Sequence, residues 1–177
     1  MNELETLMAE CIVSSVDQVF TTMLEARPSA GEPSLHSNAP EPSDGVVSLI
    51  GLAGPWTGAG SLSCSPILAC RLCSQMLMTE AEAVDDEVLD AMAELTNMVI
   101  GGVKNDLEPR TGPLGLSIPT VIYGRNFQMK GGAGAAWITV PFECDGEPLL
   151  VRLCLAPTTE GSHMRPHAPH PAYPVEV

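Results

Sequence analysis

The sequence has few aromatic and few basic residues. It contains three Phe, two Tyr and two Trp in 177 residues, so its core has to be built from aliphatic side chains and Met, and a hydrophobic content of 45% is enough for one domain. Lys and Arg total 8 against 22 Asp and Glu, which gives a net charge of −14. Nucleic acids and anionic lipid surfaces are bound through clustered Lys and Arg, so this charge argues against both as partners.

Long apolar runs are also missing. No stretch approaches the roughly 20 apolar residues that cross a bilayer. The first residues are acidic, whereas a signal peptide begins with basic ones. We therefore predict a cytoplasmic protein without a membrane segment, whose six cysteines are reduced, buried side chains rather than disulfides.

Hydrophobic periodicity predicts three helices. Apolar residues at helical spacing over 3–26 indicate a long first helix. Ser65 is a candidate cap for a second helix over 66–78, which has Pro at its first position. A third helix is predicted over 85–107, ahead of Pro109.

Short runs with a two-residue period predict five strands, over 46–52, 58–64, 116–123, 135–144 and 148–155. Gly54-Pro55 and Asp145-Gly146 are turn signals, so the first two strands and the last two should form hairpins. Strands and helices come in blocks joined by short connections. The predicted class is therefore α+β, a largely antiparallel sheet packed with long helices in the order α-β-β-α-α-β-β-β.

Two segments are rich in proline and polar residues. The first, 28–44, holds four prolines and is predicted to be a flexible loop. The second, 158–177, holds three of the four histidines and is predicted to be a disordered Pro/His-rich tail, with metal binding by the histidines as the alternative. The folded domain is thus predicted to span 1–157.

The third predicted helix has two distinct faces. Its apolar face carries Val88, Met92, Leu95, Val99 and Val103, and its polar face carries Glu87, Asp90, Glu94, Asn97, Gly101 and Lys104. Side chains three or four positions apart on a helix are neighbours, with Cβ atoms about 5–6 Å apart, so the Glu94 carboxylate and the Asn97 amide should project side by side. The simpler interpretation is that this face is only solvated.

Two consecutive glycines continue this helix beyond the polar pair. Each glycine in a helix interior costs about 1 kcal/mol relative to alanine. Gly101 and Gly102 therefore indicate a surface where another backbone comes close, or where a bulky side chain would block access.

The segment 90–102 resembles the signature of the CheC/CheX/FliY phosphatases. In that family an acidic or Ser residue is followed four positions later by Glu and three positions after that by Asn, which corresponds here to Asp90, Glu94 and Asn97. The order of elements over 1–157 is similar as well. The first helix has no Glu-x-x-Asn of its own, so the chain resembles the single-centre CheX type, whose members form homodimers.

The resemblance implies a phosphatase that hydrolyses the aspartyl phosphate of a CheY-like receiver domain. Asn97 would orient the attacking water, because an amide offers a donor and an acceptor without charge. Glu94 would form the docking salt bridge with the receiver's active-site lysine. Asp90 would either support Glu94 or stabilise the helix, and Gly101 is a further supporting residue. The chain would need no cofactor or metal of its own, since Mg²⁺ would sit in the receiver. The alternative is a non-catalytic module of the same fold that binds or scaffolds a receiver.

Other chemistry-bearing residues form weaker patterns. Cys70 and Cys73 make a CxxC without a second pair at zinc spacing, so we interpret them as packing residues. The serines at 61–65 have no nearby histidine, which argues against a Ser-His-acid triad. The glycine-rich segment 130–134 precedes a strand and lacks the Lys-Ser/Thr ending of a phosphate loop, so it is predicted to be a turn.

Overall fold

A computed structural model describes residues 1–36, 44–125 and 136–158. Within these residues the chain forms three α-helices and eight β-strands. The helices are α1 (Glu3–Met23), α2 (Pro66–Leu77) and α3 (Asp86–Thr111). The strands are β1 (Ser29–Ala30), β2 (Ser34–His36), β3 (Asp44–Ala53), β4 (Trp56–Cys64), β5 (Gly115–Leu116), β6 (Thr120–Arg125), β7 (Trp137–Cys144) and β8 (Glu147–Pro157).

Each helix begins at a residue that caps it. Asn2 and Glu5 form a capping box, in which each side chain accepts a hydrogen bond from the other's backbone N–H, at 2.6 and 2.9 Å. Ser65 and Asp85 each accept a hydrogen bond from the N–H three residues later, at 3.1 and 3.0 Å. The predicted starts of the second and third helices are therefore confirmed. Among the described residues, no helix is both long enough and apolar enough to cross a membrane.

All eight described strands belong to one sheet, and every pairing in it is antiparallel. The order is β1-β7-β8-β4-β3-β5, with β2 also pairing with β7 and β6 also pairing with β3. The β7–β8 turn is formed by Asp145 (φ 51°) and Gly146 (φ 82°), the two left-handed residues that a type I′ hairpin needs. The α+β class and both predicted hairpins are confirmed.

The three helices pack on one face of the sheet. Alternate residues of four neighbouring strands point into the core that they share with the helices, namely Val46, Ile50, Leu62, Ile138, Val140, Leu149, Val151 and Leu153. Across from them lie Ile12, Val16, Phe20, Leu68, Val88, Leu95, Val99 and Ile100. Burying each such side chain stabilises the fold by about 1.5–3 kcal/mol. The core is mainly aliphatic, as the shortage of aromatic residues requires.

Helix α3 comes close to the sheet at Gly60 of β4. A β-carbon built on Gly60 would lie 2.7 Å from Cδ1 of Ile100, which is fully buried. A glycine at this point in a strand allows another element to come close. The contact therefore sets how near α3 lies to the sheet.

All six cysteines are buried free thiols. Burial raises the pKa of Cys64 to about 12 and that of Cys144 to about 11, so both are neutral and unreactive at physiological pH. Cys70 and Cys73 of the CxxC lie in the same hydrophobic core. Their predicted role in packing is confirmed.

The segment 28–44 contains secondary structure, which contradicts the prediction of a loop without elements. β1 and β2 both pair with β7, with Ser29 opposite Glu143 and Ser34 opposite Thr139. Prolines flank these strands and do not prevent the pairing, because an edge strand bonds to a partner on one side only. Residues 37–43 of the same segment lie outside the described residues.

Three predicted boundaries are also wrong. Helix α1 ends at Met23, three residues before its predicted end at residue 26. Helix α3 does not end at residue 107 but continues through Pro109 to Thr111, and Gly112 (φ 77°) terminates it. The predicted strand over 116–123 is divided into β5 and β6, because Pro119 has no N–H to donate to the sheet. With β1 and β2, this division gives eight described strands where five were predicted.

Two further predictions fall outside the described residues. The glycine-rich turn at 130–134 is one of them. The other is the tail, of which only Thr158 is described.

Candidate functional site

The polar residues predicted for α3 lie on its solvent-facing side. Asp90, Glu94 and Asn97 are exposed, and Gly101 is half-buried. The opposite side is buried in the core by Val88, Met92, Leu95, Val99 and Val103. The predicted division of the helix is therefore confirmed, and all four candidate site residues share one face.

Glu94 and Asn97 are one helical turn apart, so their β-carbons are about 5–6 Å from each other. The neighbouring polar groups are engaged elsewhere: the buried Thr96 hydroxyl donates to the Met92 carbonyl at 2.8 Å, and Lys104 pairs with Glu108. Among the residues that the structure describes, none forms a hydrogen bond or ion pair with the Glu94 carboxylate or the Asn97 amide. Both groups are thus available to a partner molecule.

The helix that carries this pair is fixed at several points. The buried Ser15 hydroxyl of α1 donates to the Val99 carbonyl at 2.7 Å. Near the end of α3, the Glu108 carboxylate pairs with Lys104 at 2.8 Å and accepts from the Leu114 N–H at 3.1 Å. The hydrogen bond from Lys104 and then that from Leu114 lower the pKa of Glu108. Groups on such an anchored helix are pre-positioned for binding.

Close packing requires a glycine at only one of the two positions, Gly102. A β-carbon on Gly102 would overlap the Ser15 hydroxyl, so the close approach predicted for this pair occurs here, within the protein itself. A β-carbon on Gly101 would meet only Cδ1 of Leu116, at 3.8 Å, which is an ordinary contact. Packing therefore explains Gly102 but not Gly101, which lies on the face of Glu94 and Asn97.

An open groove of about 430 Å³ lies beside Asp90, between α3 and β6. It is lined by Asp86, Leu89, Asp90, Ala93, Pro119 and Val121. Its lining combines two carboxylates with apolar side chains. Because the groove is open, it suits a side chain of a macromolecule better than a small molecule, which needs enclosure.

Ile118 is an exposed apolar residue next to this groove. Its relative exposure is 89%, although the sequence analysis placed it inside a strand. The neighbouring Pro119 was the available signal, since a proline within an apparent strand indicates an interruption. No motif in the sequence marks Ile118 as a site residue.

In the described part of the chain, no group of three or more His, Cys, Asp or Glu side chains is placed to hold a metal ion. The acidic residues of α3 are arranged along the helix and do not converge on one point. What this face offers is an amide, separate carboxylates and an adjoining apolar surface.

A family model and a known protein of similar sequence both match this chain. The family model described as chemotaxis phosphatase CheX matches residues 46–143, a range that contains Asp90, Glu94 and Asn97. The CheY-P phosphatase CheX of Thermotoga maritima is 28% identical over 128 residues, which are 72% of this chain and 82% of that protein.

Solved structures show the same fold. A CheC-like superfamily protein from Shewanella sp. PV-4 matches with a TM-score of 0.77 at 28% identity, over 88% of this chain and 99% of that one. A chain of the CheX–CheY–BeF3–Mg²⁺ complex from Borrelia burgdorferi matches with a TM-score of 0.71 at 24% identity, over 82% of this chain and 96% of that one. Because the family model covers more than half of the sequence, including all of α3, the chain belongs to the CheX family of chemotaxis phosphatases.

Proposed function

We propose that this chain hydrolyses the aspartyl phosphate of a CheY-like receiver domain. The observation that carries the proposal is the exposed pair Glu94 and Asn97 on one face of the anchored helix α3. Two relatives support it. The T. maritima protein is a CheY-P phosphatase, and the B. burgdorferi protein forms a complex with CheY.

The reaction needs positioning more than it needs a nucleophile on the phosphatase. An aspartyl phosphate is an activated mixed anhydride. Water attacks the phosphorus, the bond from phosphorus to the aspartate oxygen breaks, and its electron pair leaves with the aspartate carboxylate. The products are aspartate and inorganic phosphate. Holding one water in line with the breaking bond removes much of the entropic part of the barrier.

Asn97 is the residue that we assign to this water. Its amide carbonyl accepts a hydrogen bond from the water, and its NH₂ group donates to a neighbouring oxygen. An uncharged group is suited to this place, because a second negative charge beside the phosphoryl oxygens would oppose the attack. A glutamine orients the attacking water in GTPases in the same way.

Glu94 is assigned to docking. Its carboxylate would pair with the receiver's active-site lysine, and a desolvated pair of this kind makes a large contribution to binding. Asp90, one turn earlier, adds negative charge to the same surface. Gly101, one turn after Asn97, leaves space for the receiver's backbone.

The chain supplies no metal ion of its own in this mechanism. Mg²⁺ belongs to the receiver, where it neutralises phosphoryl oxygens. The residues of this chain act by binding the receiver and orienting the water.

The direct test follows the loss of phosphate from a phosphorylated receiver in Mg²⁺ with and without the protein. We expect wild type to accelerate the loss and Asn97→Ala to reduce that acceleration by about 10²-fold, since loss of positioning has effects of this size. The matched control is Asn105→Ala, an exposed asparagine on the same helix two turns further along, which should retain full activity. Equal rates for Asn97→Ala and wild type would contradict the assignment.

Docking is tested separately through affinity for the receiver. Glu94→Gln removes one negative charge and should weaken binding by about 2–5 kcal/mol if the lysine pair is desolvated. Glu10→Gln removes the same charge from an exposed position on α1 and should bind as wild type does. Tight receiver binding by wild type without faster phosphate loss would favour the non-catalytic module over the phosphatase.

We propose further that the protein is a cytoplasmic homodimer whose domain spans residues 1–157. The support is the resemblance to single-centre CheX proteins and the order of elements, in which β8 ends at Pro157. Light scattering coupled to size exclusion should give about twice the mass of one chain. A single-chain mass at micromolar concentration would contradict the dimer.

A further inference from the structure

The segment between β5 and β6 runs alongside the face of α3 that carries Glu94 and Asn97. At one end, Leu116 lies beside Gly101, and at the other, Pro119 lines a groove with Ala93. Three residues of extended chain span about 10 Å, which is close to the rise of about 12 Å along the helix from residue 93 to residue 101. Ile118 therefore lies level with the turn of α3 that carries the two polar residues.

The backbone that presents Ile118 is held firmly. The Ser117 N–H donates to the Gly51 carbonyl of β3 at 2.9 Å, and the Gly51 N–H donates to the Ser117 hydroxyl at 2.8 Å. The same hydroxyl donates to the Ile118 carbonyl at 3.0 Å. Pro119 then fixes the next backbone angle. A side chain presented on a fixed backbone loses little conformational freedom when it binds a partner.

The residues around Ile118 indicate which kind of partner surface fits against it. A single exposed isoleucine is common on protein surfaces and by itself indicates nothing. This one adjoins the apolar part of the groove, formed by Leu89, Ala93 and Val121, and the acidic part formed by Asp86 and Asp90. The complementary partner has an apolar patch bordered by basic groups and reaches Glu94 and Asn97 at the same time.

We propose that Ile118 is the apolar anchor for the receiver domain, inserting into the receiver's surface beside its phosphorylated site. This inference rests on the proposed function and adds a residue to it. Continuity with the Glu94–Asn97 face and the acidic border favour the receiver as the occupant. A second copy paired at this border would bring its own Asp86 and Asp90 against the same two carboxylates. Ile118 supplies binding and Asn97 supplies water positioning, so the two residues affect different kinetic constants.

The experiment measures phosphate loss as a function of the concentration of phosphorylated receiver. Ile118→Ser should raise KM about thirtyfold, the effect expected of an interface hot spot, and leave kcat unchanged. Asn97→Ala should lower kcat and leave KM nearly unchanged. Ile118→Leu keeps an apolar side chain and should restore most of the affinity.

The matched control is Ile67→Ser on α2. Ile67 is also an exposed isoleucine, at 62%, but it lies outside the Glu94–Asn97 face. The Ile67→Ser variant should leave KM and kcat unchanged. Unfolding midpoints should show that neither serine variant alters folding. If wild type accelerates phosphate loss and Ile118→Ser does so with the same KM, this inference is overturned while the proposed function stands. If wild type neither binds a receiver nor accelerates phosphate loss, both are overturned.

Discussion

The Ser15 hydroxyl on α1 occupies the space that a β-carbon on Gly102 of α3 would need. The same hydroxyl donates to the Val99 carbonyl at 2.7 Å in a buried position. One side chain thus both bonds α1 to α3 and sets the distance between the two helices. Asn97 lies only a few residues before this contact, so the α1–α3 contact also supports the candidate site.

Gly102→Ala should therefore destabilise the protein even though alanine is the better helix former. Alanine gains about 1 kcal/mol in helix propensity, whereas forcing an extra carbon into a packed interface costs about 1–3 kcal/mol. We expect a net loss of about 1 kcal/mol in the free energy of unfolding, measured with urea. In a Ser15→Ala background the loss should shrink or reverse, since the hydroxyl is gone. Strictly additive effects of the two substitutions would contradict the contact.

Gly101→Ala should have the opposite effect on stability. The nearest side-chain atom to the new β-carbon is Leu116 Cδ1 at 3.8 Å, so nothing opposes the propensity gain of about 1 kcal/mol. Gly101→Leu should leave the fold intact but weaken receiver binding, because a large side chain would project beside Glu94 and Asn97. Urea unfolding and receiver titration separate the two effects. Full affinity in the leucine variant would remove Gly101 from the site.

Alkaline pH should destabilise the protein through its buried thiols. Burial raises the pKa of Cys64 to about 12 and of Cys144 to about 11, from an ordinary value of 9.0 in the unfolded chain. Above a pH of about 9 the unfolded chain releases these protons first, so the folded state binds more protons and stability falls as pH rises. The free energy of unfolding should decline from about pH 9 towards pH 12. A Cys64→Ala, Cys144→Ala double variant should show a shallower decline, and an equal slope would contradict the assignment.

Arg152 should be replaceable by an apolar residue without loss of stability. Arg152 is 3% exposed in β8. Its Nη1 donates to the Ser63 hydroxyl at 3.3 Å, and within the described part of the chain its Nε has no hydrogen-bond partner. Burial lowers the pKa of this guanidinium. Among the described residues no carboxylate forms an ion pair with it. An unpaired buried charge is costly, so Arg152→Met should keep or raise the free energy of unfolding, by about 1 kcal/mol or more. A clear decrease in the free energy of unfolding would contradict this prediction.

The helical part of the fold could be predicted because its signals are local. In α3, Val88, Leu95 and Val99 recur at helical spacing, and Asp85 caps the first turn. That spacing also placed Glu94 and Asn97 on one exposed face. The end of α3 was missed because proline normally stops a helix, whereas Pro109 lies so near the end that the helix continues for one more half-turn.

The parts that could not be predicted depend on contacts between distant residues. β1 and β2 are two and three residues long, and their pairing with β7 requires residues more than a hundred positions away. The position of Ile118 beside α3 likewise depends on register, with Leu116 opposite Leu52 and Thr120 opposite Leu49. No pattern within the segment itself contains this information.

The position of β8 in the sheet has a consequence for biosynthesis. It is the last described strand along the chain, yet it lies between β7 and β4. During translation, β4 emerges from the ribosome long before β8 and has β3 alone as its neighbour until then. A nascent chain stalled before residue 147 therefore exposes the unsatisfied backbone of both β4 and β7, the kind of edge through which chains aggregate. The sheet is complete, and can support α3, only after the β7–β8 hairpin has formed.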